Sequence, residues 1–256
     1  MKNIIKEQLY MLPRYSISHF VFLGIALLQI IATYFIIGSM KEHVTNAGIF
    51  AAMPDTTYVM IAVVYIFTLT AQICLSDFSD KTSYYELMGG HTRAEVYCGR
   101  AIPCLVIGTL GAFLLFIIPD ITATVILGWG GDIPVGQIIL RRLLLIFPLF
   151  RLCCEAVFIS FLMKNTVGVM ITGFAVYMVG LNLSIEGGSP WLGITTIPML
   201  YESDIWVTYG LDSTVHFSYG TSLQAETIAP VIVFSVIASA ISIYMGYFFF
   251  RNDDMN

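Results

Sequence analysis

Charge is scarce in this sequence. Asp, Glu, Lys and Arg make up 11% of its 256 residues, against roughly 25% in a soluble domain. Hydrophobic residues make up 57% and mean hydropathy is +0.83. A water-soluble chain of this length buries a good core but cannot hide that much apolar surface, so an ordinary soluble domain is excluded. Cysteine is sparse as well. Cys74, Cys98, Cys104, Cys153 and Cys154 fall in long apolar runs or near their ends, which argues against a disulfide framework. Their setting suits small apolar packing groups. The four histidines, His19, His43, His91 and His216, are scattered over run ends and loops, a poor pattern for a metal centre or a catalytic imidazole. H-E-x-x-H, G-x-S-x-G and paired acids within an apolar run are all missing, which speaks against an intramembrane enzyme. No G-x-x-x-x-G-K-[ST] loop is present to cradle ATP phosphates. The opening MKNIIKEQLYMLPRYSISHF carries Lys2, Lys6, Glu7 and Arg14 and has no small-residue cleavage site, so it is not expected to be a signal peptide. There is no internal repeat and no low-complexity tract.

What is present is apolar run after apolar run. A bilayer crossing needs about 20 apolar residues in a helix. Six stretches qualify, roughly 19–39, 58–76, 101–118, 143–163, 166–184 and 228–250. The expected fold is therefore all-α: one polytopic transmembrane domain over 1–256, with no room for a separate soluble domain of normal size. Lys and Arg are unevenly shared between the two sets of connections. Lys2, Lys6, Arg14, Lys81, Arg93, Arg100, Lys164 and Arg251 fall on one side, and Lys41, Arg141 and Arg142 on the other. The stretch 182–225 contains neither residue type. This bias predicts a cell-membrane protein with both termini cytoplasmic. Arg141 and Arg142 run against the rule and are expected at the outer headgroup level.

Three local patterns stand out. Residues 2–12 separate Ile4, Ile5, Leu9 and Leu12 from Lys2, Lys6 and Glu7 at helical spacing, which predicts a helix over 1–17 lying on the inner membrane surface until Pro13 breaks it. In the last run, Ser235, Ser239, Ser242 and Gly246 form a stripe of small residues, the kind of face that lets helix backbones approach in lipid. Arg151 and Glu155 lie four apart near mid-membrane, one turn after Pro148, with Gln72 as a further polar residue in the second run. Ionisable groups at such depth are costly and face a partner or a watery cavity. Two readings stay open: a polar patch on a translocation path, or a mutual ion pair that locks the helix to its neighbours. The long outer stretch 185–227 is expected as an extracellular loop.

The densest polar stretch is DFSDKTSYYELMGGHTRAEVYCGR, from Asp77 to Arg100. Lys81 to Met88 favours a short helix, Gly89-Gly90 supplies a helix-ending turn, and TRAE is a capping box in which Thr92 starts a new helix and Glu95 reaches back. The result is a rigid bracket between the second and third runs. Six spans, a basic N-terminal helix, this bracket and the ending GYFFFRNDDMN together make the chain resemble type-2 ABC-transporter permeases over essentially its whole length. Two details depart from the common pattern: the glycine pair replaces a Ser/Pro turn, and Arg100 replaces a Lys at the entry to the third span. The resemblance implies a coupling helix that docks on a separate ATPase subunit through Asp80, Lys81, Tyr84, Tyr85, Glu86, Met88, Gly89, Gly90 and Arg93. It implies no cofactor on this chain itself, with ATP and Mg on two copies of the partner. It further implies a second permease copy or a related permease, and export of an amphiphile such as an antimicrobial peptide, a lipid or a drug. No nucleic-acid partner is expected. The competing function is an ion-coupled secondary transporter working through Arg151 and Glu155.

Overall fold

The computed structural model describes residues 2–11, 16–40, 44–52, 56–79, 89–130, 135–187, 205–209, 215–219 and 225–252. Helices dominate: α1 (Lys2–Met11), α2 (Ser16–Ser39), α3 (Ala47–Ala52), α4 (Thr56–Ser79), α5 (Arg93–Leu127), α6 (Val135–Leu144), α7 (Ile146–Met163), α8 (Thr166–Gly187) and α9 (Ala225–Asn252). Four segments are long and apolar enough to cross a membrane: Ile17–Ser39, Arg93–Leu127, Ile138–Met163 and Ile228–Asn252. Shorter apolar stretches, Ile61–Leu75 and Thr166–Tyr177, lie in α4 and α8.

α7 is the central element. It packs against α9, α4, α5 and α8, and most of its side chains are buried, from Leu149 through Phe161. α2 lies at the periphery and exposes Phe20, Leu23, Leu27, Tyr34 and Phe35. Such a surface is costly in water and ordinary in lipid.

Two boundaries differ from the sequence expectation, each for a physical reason. The third apolar run does not stop near residue 118 but continues as helix to Leu127, passing through Pro103 and Pro119. The hydroxyls of Thr122 and Thr124 donate to the carbonyls of Ile118 and Asp120, at 2.8 and 2.7 Å. Bonds of this kind help proline-containing helices persist in an apolar setting. The fourth run is not one unbroken helix. It starts earlier, at Val135, and turns at Leu145. Pro148 has no N–H to offer the carbonyl of Leu144, so the ladder breaks one turn before the proline. The Leu145 N–H compensates by donating to both Arg141 and Arg142 carbonyls at 3.2 Å.

The stretch 185–227 is also not all loop. α8 runs on to Gly187, and β1 (Ile205–Tyr209) pairs antiparallel with β2 (Val215–Tyr219), with Ile205 opposite Tyr219 and Tyr209 opposite Val215. IWVTY and VHFSY are rich in the β-branched and aromatic residues that favour strands. Among the described residues this one hairpin accompanies an otherwise helical fold.

α1 and the end of α9 both meet the start of α5 at one end of the bundle. Ile4 of α1 lies so close to Gly99 of α5 that a Cβ there would come within 2.7 Å of it. Arg93, at the start of α5, reaches the last carbonyls of α9. At the opposite end, the N–H of Ala47 donates to the Gly128 carbonyl at 3.1 Å. That bond fixes α3 against the end of α5.

Candidate functional site

Asp80, Lys81, Tyr84, Tyr85, Glu86 and Met88 lie outside the described residues. The second half of the bracket is described and is tightly built. Gly89 and Gly90 form an exposed turn, and Gly90 has φ of +86°, a left-handed backbone that suits glycine. Thr92 then caps α5. Its hydroxyl accepts from the Glu95 N–H at 3.2 Å, while Glu95 Oε2 accepts from the Thr92 N–H at 3.1 Å. His91 Nδ1 is 3.6 Å from the same carboxylate oxygen.

Arg93 turns inward along the bundle end. Its Nη1 donates to the Arg251 carbonyl at 2.5 Å and to that of Phe250 at 3.4 Å. The last carbonyls of a helix have no partner of their own, and a guanidinium satisfies them while complementing the helix dipole. Arg93 thereby joins the bracket to the end of the last helix. Arg100, two turns on, is fully buried and engaged within the fold.

The intramembrane polar residues separate into two places. Arg151 Nε and Glu155 Oε1 are 3.2 Å apart, an ion pair made without hydrogen-bond alignment. The Arg151 side chain is 2% exposed and lies 5.7 Å above the Phe234 ring. Beside the pair is a cavity of about 10 Å³, closed by Phe67, Gly173 and Tyr177. That is about the room one water needs. The Tyr177 hydroxyl is buried there with no hydrogen-bond partner among the described residues. Gly173 is required by the Phe67 ring, which a Cβ at that position would strike. Gln72 is elsewhere. Its Oε1 accepts from the Ser18 N–H at 3.0 Å, tying α4 to the start of α2.

The small-residue stripe faces α7 and α5. Ser235 and Ser239 are buried, Ser242 is half-buried, and Gly246 is buried where a Cβ would stand 2.6 Å from Tyr97 Oη and 3.3 Å from the Phe158 backbone. Tyr97 Oη donates across to the Ile243 carbonyl at 3.0 Å. The Tyr97 ring packs on Phe161, Tyr247 and Phe250.

One buried pair had no sequence signal. Arg142 grips Asp120 with two bonds, Nε to Oδ2 at 2.5 Å and Nη2 to Oδ1 at 2.7 Å, and Nη2 also donates to the Ala51 carbonyl at 3.2 Å. This clamp draws the end of α3, α5 and α6 together. Of the two cations that run against the charge bias, Arg142 is thereby paired with a carboxylate 22 residues earlier. Tyr97 and Tyr177 were likewise not singled out from sequence, where an aromatic in an apolar run carries no mark of a special role. All five cysteines are free, and the Cys104 thiol lies 3.2 Å from Thr70 Oγ1. Among the described residues, no cluster of His, Cys, Asp and Glu is arranged to hold a metal ion. Compared with protein-family models, curated proteins and solved structures, the chain finds no match in any of the three.

Proposed function

We propose that this chain is the membrane-spanning permease subunit of an ATP-driven ABC exporter, with six crossings, cytoplasmic termini and a separate ATPase. One observation carries the reading. The polar segment between α4 and α5 ends in a fixed glycine turn and a capped helix start, and Arg93 bonds that start to the terminal carbonyls of α9. A push on this segment is thus delivered to two membrane segments far apart in sequence. That is what an external ATPase needs from a subunit with no phosphate-binding loop of its own. Residues 80–90 form the docking surface, and Arg93 passes the movement on. The substrate is an amphiphile, in keeping with apolar, aromatic helices that carry few charges.

Copurification tests the reading. The tagged chain is drawn from its native membrane in mild detergent, beside a Tyr84→Ala/Glu86→Ala variant. An ATPase recovered in near-equal amount with the wild type and lost with the variant supports the assignment; its absence from both overturns it. A second reading, an ion-coupled carrier, rests on the Arg151–Glu155 pair and the small cavity beside it. A cavity sized for one water is a weak basis for a path, and transport that persists after the proton gradient is collapsed would eliminate this reading.

A further inference from the structure

A groove of about 700 Å³ runs between the first turns of α5, the first half of α7 and the middle of α9. This volume lies in the range of ligand sites, and the lining is almost wholly apolar. All three walls belong to segments able to cross a membrane, so the groove opens sideways into hydrocarbon. From Ser235 to Tyr247 it follows twelve residues of helix, about 18 Å, close to the depth of one leaflet at about 15 Å, half the hydrocarbon core.

We propose that the groove holds one acyl chain of a phospholipid from the leaflet nearer the chain termini. The shape selects a thread over a helix. The floor is recessed and small, with Ser235 and Ser239 beside the buried Tyr97, while Phe147, Phe150 and Tyr244 stand proud at the rim, 37%, 41% and 66% exposed. Helices that pack in membranes bring small residues together at their point of closest approach, and these rings hold a second backbone away from the small floor. A flexible chain passes between them. The floor is also preformed, because the bond from Tyr97 to the Ile243 carbonyl and the close approach of Gly246 fix α9 against α5 and α7. At the mouth, Arg251 stands exposed about one turn beyond Tyr247, at the level of a phosphodiester whose tail fills the groove. The proposal needs no ATPase and stands apart from the permease reading.

A phospholipid bearing a diazirine midway along one acyl chain tests it on the unaltered chain in bilayers. Photolysis and peptide mapping are expected to place most adducts on Val236, Ala240, Tyr244 and Tyr247, the accessible part of the lining. Adducts spread evenly over exposed residues of α2, such as Leu27 and Phe35, would show ordinary boundary lipid and overturn the proposal. A second measurement counts phospholipid retained per chain after extensive detergent washing. About one is expected for the wild type and for Val233→Trp, which lies outside the groove lining. Ala240→Trp, which fills the groove from an exposed position, is expected to retain at least fivefold less. Equal retention by Ala240→Trp, or a changed oligomeric state with unchanged lipid, overturns the proposal, the latter result pointing to a second copy of the chain.

Discussion

The Arg142–Asp120 clamp makes a sharp prediction about stability. Both side chains are nearly buried, 13% and 14% exposed, and the two bonds are in fork geometry. Removing one member of a buried pair typically costs about 3–5 kcal/mol, because the other charge is left without compensation. In a chain of this size each kcal/mol moves Tm by roughly 2–4 °C, so either single change should lower it by about 6–20 °C. The two singles should also differ. Asp120→Asn strands a guanidinium, which keeps its proton at any working pH. Arg142→Gln strands a carboxylate, which can take up a proton, so mild acidification should restore part of its stability and none of that of Asp120→Asn. The double variant leaves two neutral amides and should lie nearer the wild type than either single does. Unfolding can be followed with a thiol-reactive fluorophore, since Cys74, Cys104 and Cys153 are fully buried and react only as the bundle opens; a Cys98→Ala background removes the half-buried thiol. If the two single losses simply add in the double variant, the coupling is below about 0.5 kcal/mol and the clamp is not what holds this end together.

Three further outcomes can be checked on the same preparation. Gly246→Val should destabilise by about 1–3 kcal/mol, because its Cβ meets the Phe158 backbone as well as Tyr97, whereas Gly24→Ala, with open space around it, should be near neutral in the same melt. Thr92→Ala should cost about 1 kcal/mol and speed hydrogen exchange in the first turn of α5, by removing one half of the observed capping box; unchanged exchange there would show that the cap does not hold the helix start. Arg93→Gln should leave global melting within a few degrees while increasing amide exchange at the end of α9, whose carbonyls it releases; no change there would remove Arg93 as the link between bracket and last helix.

Local features of this fold were legible in the sequence because their causes are local. The Thr92–Glu95 box depends on two residues three apart, and a chain that can form it generally does. The buried face of the Ser235–Gly246 stripe follows from helical spacing. Periodicity was less help with ends. Pro119 reads as a stop after residue 118, yet α5 passes through it and runs nine residues further to Leu127, keeping Asp120 within the helix. Its carboxylate carried no mark in the sequence because its partner, Arg142, lies on another helix, 22 residues away. Strand signal in IWVTY and VHFSY was present in the composition but was overshadowed by an otherwise helical chain.

The same division explains why the intramembrane polar residues could be found but not grouped. A sequence shows that Gln72, Arg151 and Glu155 are expensive in an apolar helix; it does not show which neighbours meet that cost. Arg151 and Glu155 share a face of α7 because they are four apart, so their pairing was readable. Gln72 had no such constraint, and it is claimed by the backbone of Ser18. The cavity beside the pair is lined instead by Tyr177 and by the Phe67 ring of α4, for which Gly173, one turn before Tyr177 on α8, leaves room. The polar site is therefore a property of three helices packed at one depth. A substitution such as Gly173→Ala, which alters no polar atom, should disturb it as surely as one at Glu155. It does so by driving Phe67 away and opening the cavity beside the ion pair to lipid or water.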